Sequence, residues 1–201
     1  MMTSSNKARL IIISGPSGAG KSTVVRRLIE LCELPLELSV SATTRAPRAG
    51  EVNGREYFFL SREEFETQRT NGKFLECKEV YGRGIWYGTL KDVVDQGLTA
   101  GKWMILEIDV QGALTVFQNR TDLISIFVHP GSMAELERRL RARGTESENQ
   151  IARRLEVASE EMALRHLYQH EVINNQVDST VNELCNLLKQ FQGDSQACSK
   201  S

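Results

Sequence analysis

Eight residues, Gly15-Pro16-Ser17-Gly18-Ala19-Gly20-Lys21-Ser22, constrain this chain most, because of what flanks them. Before them runs Leu10-Ile11-Ile12-Ile13, an apolar segment rich in β-branched residues, the pattern of a strand buried on both faces. After them Val24, Val25, Leu28 and Ile29 recur at helical intervals. Strand, glycine loop and helix follow in order, and the loop fits G-x-x-x-x-G-K-[ST] at every fixed position. Glycines let backbone N–H groups converge on phosphate oxygens. The helix behind them points its positive end at the same anion. Lys21 adds a cation for the β- and γ-phosphates, and the Ser22 hydroxyl is placed to ligate Mg²⁺. The expected ligand is a nucleoside triphosphate, held by residues Gly15 through Thr23.

The loop does not decide what receives the phosphate, and bulk composition narrows the field only a little. Lys plus Arg number 25 against 26 acidic residues, a net charge of -1, which argues against a nucleic-acid polymer as partner. With 40% hydrophobic residues, a chain of 201 residues buries a core of its own. The four cysteines, Cys32, Cys77, Cys185 and Cys198, share no C-x-x-C spacing and no zinc-like cluster. Residues Met1 to Arg9 are polar, and the Leu10–Ile13 run is far shorter than the ~20 residues that cross a bilayer. A cytoplasmic protein without membrane contact is expected.

Further along, Trp103-Met104-Ile105-Leu106-Glu107-Ile108-Asp109 and Leu123-Ile124-Ser125-Ile126-Phe127-Val128 read as buried strands. Val172-Ile173-Asn174-Asn175 suggests one more, and Val181 to Phe191 a last helix, with fraying from residue 192. Alternating helices make this an α/β chain, a P-loop three-layer sandwich with a central parallel sheet. Residues 41–90 differ, mixing polar, aromatic and glycine residues in short strands and turns around a helix near Glu63 to Asn71. They read as an inserted mixed α/β subdomain. Residues 135–159 form an arginine-rich helical lid broken near Gly144, and 1–40, 91–134 and 160–201 form the core.

Switch GTPases carry an N-K-x-D base-recognition motif, which is absent here. A small nucleotide kinase instead needs a second phosphate site and a cationic lid. Arg45 and Arg48 flank Pro47, which stiffens the segment, and two such guanidinium groups can grip one phosphate. Tyr57 and Tyr87 offer neutral O–H donors beside them.

The run Ser41-Ala42-Thr43-Thr44-Arg45-Ala46-Pro47-Arg48-Ala49-Gly50, continuing to Tyr57, resembles the signature of guanylate kinases. The likeness runs from about Leu10 to Asp178 and takes in Phe74-Leu75-Glu76, Trp86-Tyr87-Gly88-Thr89, Leu106 to Gly112 and Arg143-Gly144-Thr145-Glu146. It implies ATP + GMP ⇌ ADP + GDP with Mg²⁺, dGMP as a further acceptor, and room for a homo-oligomer. Carried onto matching positions, Arg45, Arg48, Tyr57 and Tyr87 hold the GMP phosphate, and Ser41, Glu76 and Thr89 read guanine. Guanine presents N1–H and N2–H donors beside an O6 acceptor, which suits a carboxylate paired with a hydroxyl. Adenine inverts that pattern and leaves buried groups unpaired.

The resemblance also implies that Arg139, Arg143 and Arg154 close on the transferring phosphoryl group. Arg138, Arg141, Arg153 and Arg165 read as surface ion pairs. Asn175 matches an adenine-side loop. Glu107 and Asp109 end a buried strand, where an acid meets a Mg²⁺-bound water or substrate, or orients the arginines. Three departures from the family pattern stand out. Gly82-Arg83-Gly84-Ile85-Trp86-Tyr87-Gly88-Thr89 is two residues longer than the usual loop, and Cys77 replaces a frequent aromatic. Position 107 carries Glu, as in many bacterial members, where others have Asp, a difference of one methylene in reach. The alternatives are a non-catalytic guanylate-kinase-like interaction module, which would carry a degraded loop or lid, and a nucleotide kinase with another acceptor.

Overall fold

The computed structural model describes residues 7–80, 84–142, 144 and 147–193. The chain opens with β1 (Leu10–Ser14), α1 (Lys21–Leu31), β2 (Leu36–Leu38), β3 (Ala42–Thr43) and β4 (Phe58–Phe59). Next come α2 (Arg62–Thr70), β5 (Phe74–Val80), β6 (Ile85–Leu90), α3 (Lys91–Thr99), β7 (Trp103–Glu107) and α4 (Val110–Asn119). It closes with β8 (Ile124–His129), α5 (Met133–Ala142), α6 (Glu148–Ala163), β9 (His170–Ile173) and α7 (Val177–Gly193).

Five strands form one sheet in the order β2-β7-β1-β8-β9, with every pairing parallel. All of β1 is buried, and its alternation assigns each residue to a layer. Ile11 and Ile13 face the cluster of Val24, Val25 and Leu28 from α1 and Val181, Leu184 and Leu188 from α7. Leu10 and Ile12 face Val94 of α3 and Val110, Ala113 and Val116 of α4. An unbroken apolar run thus serves two cores at once, which is why it carries no polar alternation. The expected three-layer P-loop architecture is present.

A second sheet, in the order β4-β3-β6-β5, lies within residues 42–90, with β3 parallel to β4 and antiparallel to β6. Its apolar side gathers Ala42, Phe65 and Phe74, and the rings of Phe65 and Phe74 stack 4.4 Å apart. Ser61-Arg62-Glu63-Glu64 starts α2 as a capping box: the Ser61 hydroxyl accepts from the Glu64 amide, and the Glu64 carboxylate accepts from the Ser61 amide. Helices α5 and α6 share an apolar contact of their own through Leu136, Leu140 and Ala158.

Sequence and structure differ at element ends. The last helix starts a turn before Val181 and runs through Gly193, two residues past the expected end at Phe191; the remainder of the expected frayed tail lies outside the described residues. The three-residue β2 has no periodic signal; its register comes from pairing with β7, Leu36 opposite Trp103.

Candidate functional site

Parallel strands deliver their carboxyl ends to one rim, where ligands of open α/β sheets gather. Ser14 leads into the glycine loop there, Glu107 ends β7, His129 ends β8, and Asn174 follows β9. Gly15 has φ +137°, and a Cβ on it would stand 2.1 Å from the Val128 carbonyl oxygen. Only glycine lets the loop leave β1 so close to β8.

Lys21 folds back over this loop, donating from Nζ to the Gly15 carbonyl at 2.6 Å and the Pro16 carbonyl at 3.0 Å. Desolvation there pushes its ammonium below the usual lysine range, against the pull of Glu107, Glu161 and Asp109. Ser22 Oγ donates to Glu107 Oε1 at 2.5 Å. A hydroxyl and a carboxylate oxygen side by side are a hard donor set, suited to a cation arriving with phosphates. Among the described residues no cluster of three His, Cys, Asp or Glu side chains could hold a metal alone.

The arginines of α5 and α6 reach this loop. Arg139 donates from Nη2 to the Asn174 carbonyl at 2.7 Å and from Nη1 to the Ala19 carbonyl at 3.5 Å. Arg154 donates from Nη2 to Ser17 Oγ at 2.8 Å. Arg143 lies outside the described residues, as do Gly82 and Arg83 of the longer loop. Arg138, Arg141 and Arg165 make ion pairs with Glu135, with Glu137 and Glu148, and with Glu171.

On the second sheet, Arg45 donates from Nη2 to Glu51 Oε1 at 2.9 Å and from Nε to the Tyr87 hydroxyl at 3.2 Å. Its guanidinium stands 5.5 Å from the Tyr57 ring centre, and the rings of Tyr57 and Tyr87 are 5.6 Å apart. Arg45, Tyr57 and Tyr87 are therefore one group. Arg48 is exposed, and its amide donates to Glu51 Oε2 at 2.7 Å. Glu51, absent from the expected set, is the counter-ion of this group, held below the usual carboxylate range by Arg45 and the Arg48 amide.

Glu76 is buried, and the Thr89 hydroxyl donates to its Oε1 at 2.6 Å. A Cβ at Gly112 would stand 2.9 Å from Glu76 Oε2, so glycine there gives the carboxylate its place against α4. Burial first, and the charge of Asp109 next, raise Glu76 to about 7, while Thr89 and Lys78 pull it down. Asp109 caps α4, its Oδ1 accepting from the Gly112 amide at 2.8 Å, and its Oδ2 accepts from Lys78 at 2.8 Å. Ser41 is half-buried, and its carbonyl accepts from the Phe58 amide.

Asn175, the expected base contact, is exposed; its neighbour Asn174 is buried against the loop. Asn174 Nδ2 donates to the Ala19 carbonyl at 2.7 Å, and its Oδ1 accepts from Thr180 Oγ1 at 3.2 Å. Strand parity carries this signal: Val172 points inward, Ile173 outward, and Asn174 inward again. Asn174→Ala should lower stability by about 1–3 kcal/mol, because the Ala19 carbonyl loses its buried donor. A lower urea midpoint at unchanged slope would register it; an unmoved midpoint would mean that the loop is held otherwise.

The family profile described as "Guanylate kinase" matches residues 7–191. A protein of Rhodopirellula baltica named "Guanylate kinase" is 59% identical over 194 residues, 96% of this chain and 92% of that protein. One of Rubrobacter xylanophilus, with the same name, is 46% identical over 192 residues, 96% of this chain and 99% of that one. The crystal structure of guanylate kinase from Anaplasma phagocytophilum matches with a TM-score of 0.71 at 32% identity, covering 94% of this chain and 88% of that one.

Proposed function

From the premise that the chain belongs to the guanylate kinase family, and is an enzyme that transfers a phosphoryl group from ATP to GMP giving ADP and GDP, we propose how its residues divide the reaction. One observation carries the division. The short link from Glu107 at the end of β7 to Gly112 in α4 meets both groups: Glu107 accepts from Ser22 of the phosphate loop, Asp109 caps α4 at the Gly112 amide, and Gly112 lies against the carboxylate of the Glu76–Thr89 pair.

On the donor side, the loop from Gly15 to Thr23 cradles the ATP phosphates with its amides, and Lys21 exchanges two carbonyls for phosphate oxygens. Ser22 would hold Mg²⁺, with Glu107 accepting from the water around it. When bound, the ion neutralises charge on the phosphates. Arg139, Arg143 and Arg154 gather on the transferring group. Two of them already rest on loop oxygens, so a short shift brings them to phosphate. Asn175 is assigned to the adenine edge.

On the acceptor side, Arg45, Arg48, Tyr57 and Tyr87 hold the GMP phosphate, with Glu51 keeping Arg45 in place until it arrives. Ser41, Glu76, Thr89 and Asp109 read the base. None of these groups is addressed to a ribose 2′-hydroxyl, so dGMP is accepted too. The chain divides into a core (1–40, 91–134, 160–201), an acceptor subdomain (41–90) and a lid (135–159). The separate apolar clusters of the second sheet and of α5–α6 support that division. We place the enzyme in the cytoplasm; Cys32, Cys77 and Cys185 are free thiols, and no described helix is long and apolar enough to cross a membrane.

A coupled ADP-release assay with ATP and Mg²⁺ over GMP, AMP, CMP and UMP tests the reading. GMP should exceed AMP in kcat/KM by about 10⁴-fold, because adenine leaves Glu76 and Thr89 mispaired. Equal rates on AMP and GMP would sink it. A non-catalytic interaction module is not favoured, since the loop is complete and Lys21 is in place.

A further inference from the structure

One charged side chain next to the base-reading pair has no task in this division. Lys78 stands two residues beyond Glu76 on β5, on the same side of the strand. It donates to Asp109 Oδ2 at 2.8 Å, while Asp109 Oδ1 accepts from the Gly112 amide, also at 2.8 Å. One oxygen of Asp109 thus belongs to the core helix α4 and the other to the second sheet. Gly112 is also where Glu76 comes to rest, its Cβ position 2.9 Å from Glu76 Oε2. Glu76, Gly112, Asp109 and Lys78 form a closed ring of contacts across the junction of the two sheets.

We propose that Lys78 is a positioning residue for acceptor recognition: by holding Asp109 Oδ2 it clamps β5 to the start of α4 and fixes the surface against which Glu76 meets guanine. The proposal rests on the assignment of Glu76 to the base. Charge acts in the same direction as position. The groups facing Glu76 are Asp109 at the start of α4, Lys78 on its own strand and the Thr89 hydroxyl of β6, with the Cys77 thiol adjacent. Asp109 drives the Glu76 carboxyl toward protonation, and Lys78 opposes it. Without Lys78, Asp109 loses that bonded cation, and less of Glu76 is ionised to accept from N1–H and N2–H. Both members of the pair are partly exposed, with side chains 45% and 41% accessible, so the pair adds little to stability. Its effect falls on the site.

Steady-state kinetics of Lys78→Ala and Lys78→Arg across neutral pH, with Glu76→Gln alongside, test this. Lys78→Ala should raise the KM for GMP roughly three- to tenfold at neutral pH and leave the KM for ATP within about twofold. It should also move the acid limb of kcat/KM for GMP to higher pH. Lys78→Arg should restore both, and neither variant should shift the melting temperature appreciably. A purely structural ion pair would not give a GMP-confined KM change with a displaced pH limb. An unchanged GMP KM, or equal rises in both KM values, overturns the proposal. If Glu76→Gln raises the GMP KM while Lys78→Ala does not, the assignment of Glu76 stands and that of Lys78 falls. If Glu76→Gln leaves the GMP KM untouched, the base assignment itself fails and takes this proposal with it.

Discussion

Replacing Lys21 with alanine should cut turnover by about 10²–10³-fold, the usual effect of deleting a charge donor aimed at a transition state. The ammonium is the mobile cation of the loop; in this structure it is bound to the Gly15 and Pro16 carbonyls. Those carbonyls hold it, partly desolvated, over the loop assigned to the ATP phosphates, so it is placed in advance of their arrival. The fold should survive. Lys21 belongs to none of the apolar clusters, and losing its two hydrogen bonds costs about 1–2 kcal/mol. Coupled ADP-release kinetics together with a thermal melt separate the two effects. A folded Lys21→Ala variant with near wild-type kcat would refute the phosphate role.

Glu76→Gln is the second large effect and acts on the other substrate. It should raise the KM for GMP by roughly 10²-fold and leave that for ATP within about twofold, because an amide presents guanine with one acceptor and a misplaced donor. Matched changes in both constants would contradict the assignment. Its pH dependence follows from burial, which together with Asp109 lifts the carboxyl to about 7. In the wild type kcat/KM for GMP should fall as pH drops through about 7, and in Glu76→Gln that limb should vanish.

Stability moves the opposite way. Glu76 ordinarily ionises near 4.5 and in the folded chain at about 7, so between those values the folded state binds the extra proton. Its contribution is fully present below 4.5 and is lost as pH rises through 7. Glu76→Gln should therefore melt above wild type at about pH 8, by a difference on the order of 2–3 kcal/mol, and lose most of that advantage near pH 5. Parallel melting curves at both pH values would show that the carboxyl is not destabilised by burial.

Much of this was readable from the chain because its strongest signals are local. The loop lies within eight residues, the Leu10–Ile13 run marks a strand covered on both faces, and Ser61 to Glu64 spells its own helix start. What was not readable depends on residues far apart in the chain. Ser17 meets Arg154 across 137 positions, and Asn174 meets Ala19 across 155; no periodicity encodes either. Counter-ions are hidden for another reason. Glu51 and Lys78 look like solvated surface charges until the turn and strand that carry them fold against Arg45 and Asp109. Asn174 was within reach, since strand parity from Val172 turns it inward.

The parallel sheet also has a second rim, at the amino ends of its strands, and none of the assigned residues lies there. The turn after α3 at Thr99 to Lys102 and the approach to β8 at Thr121 to Leu123 form part of that edge. Its separation from the reacting edge is set by strand length, roughly 17 Å for the five residues of β1. A fluorophore at exposed Ala100, the residue after α3, would sit on this far edge, paired with a second dye on α6. Any change in the spacing of α6 from the sheet during turnover could then be timed on single molecules without altering a residue assigned to either nucleotide.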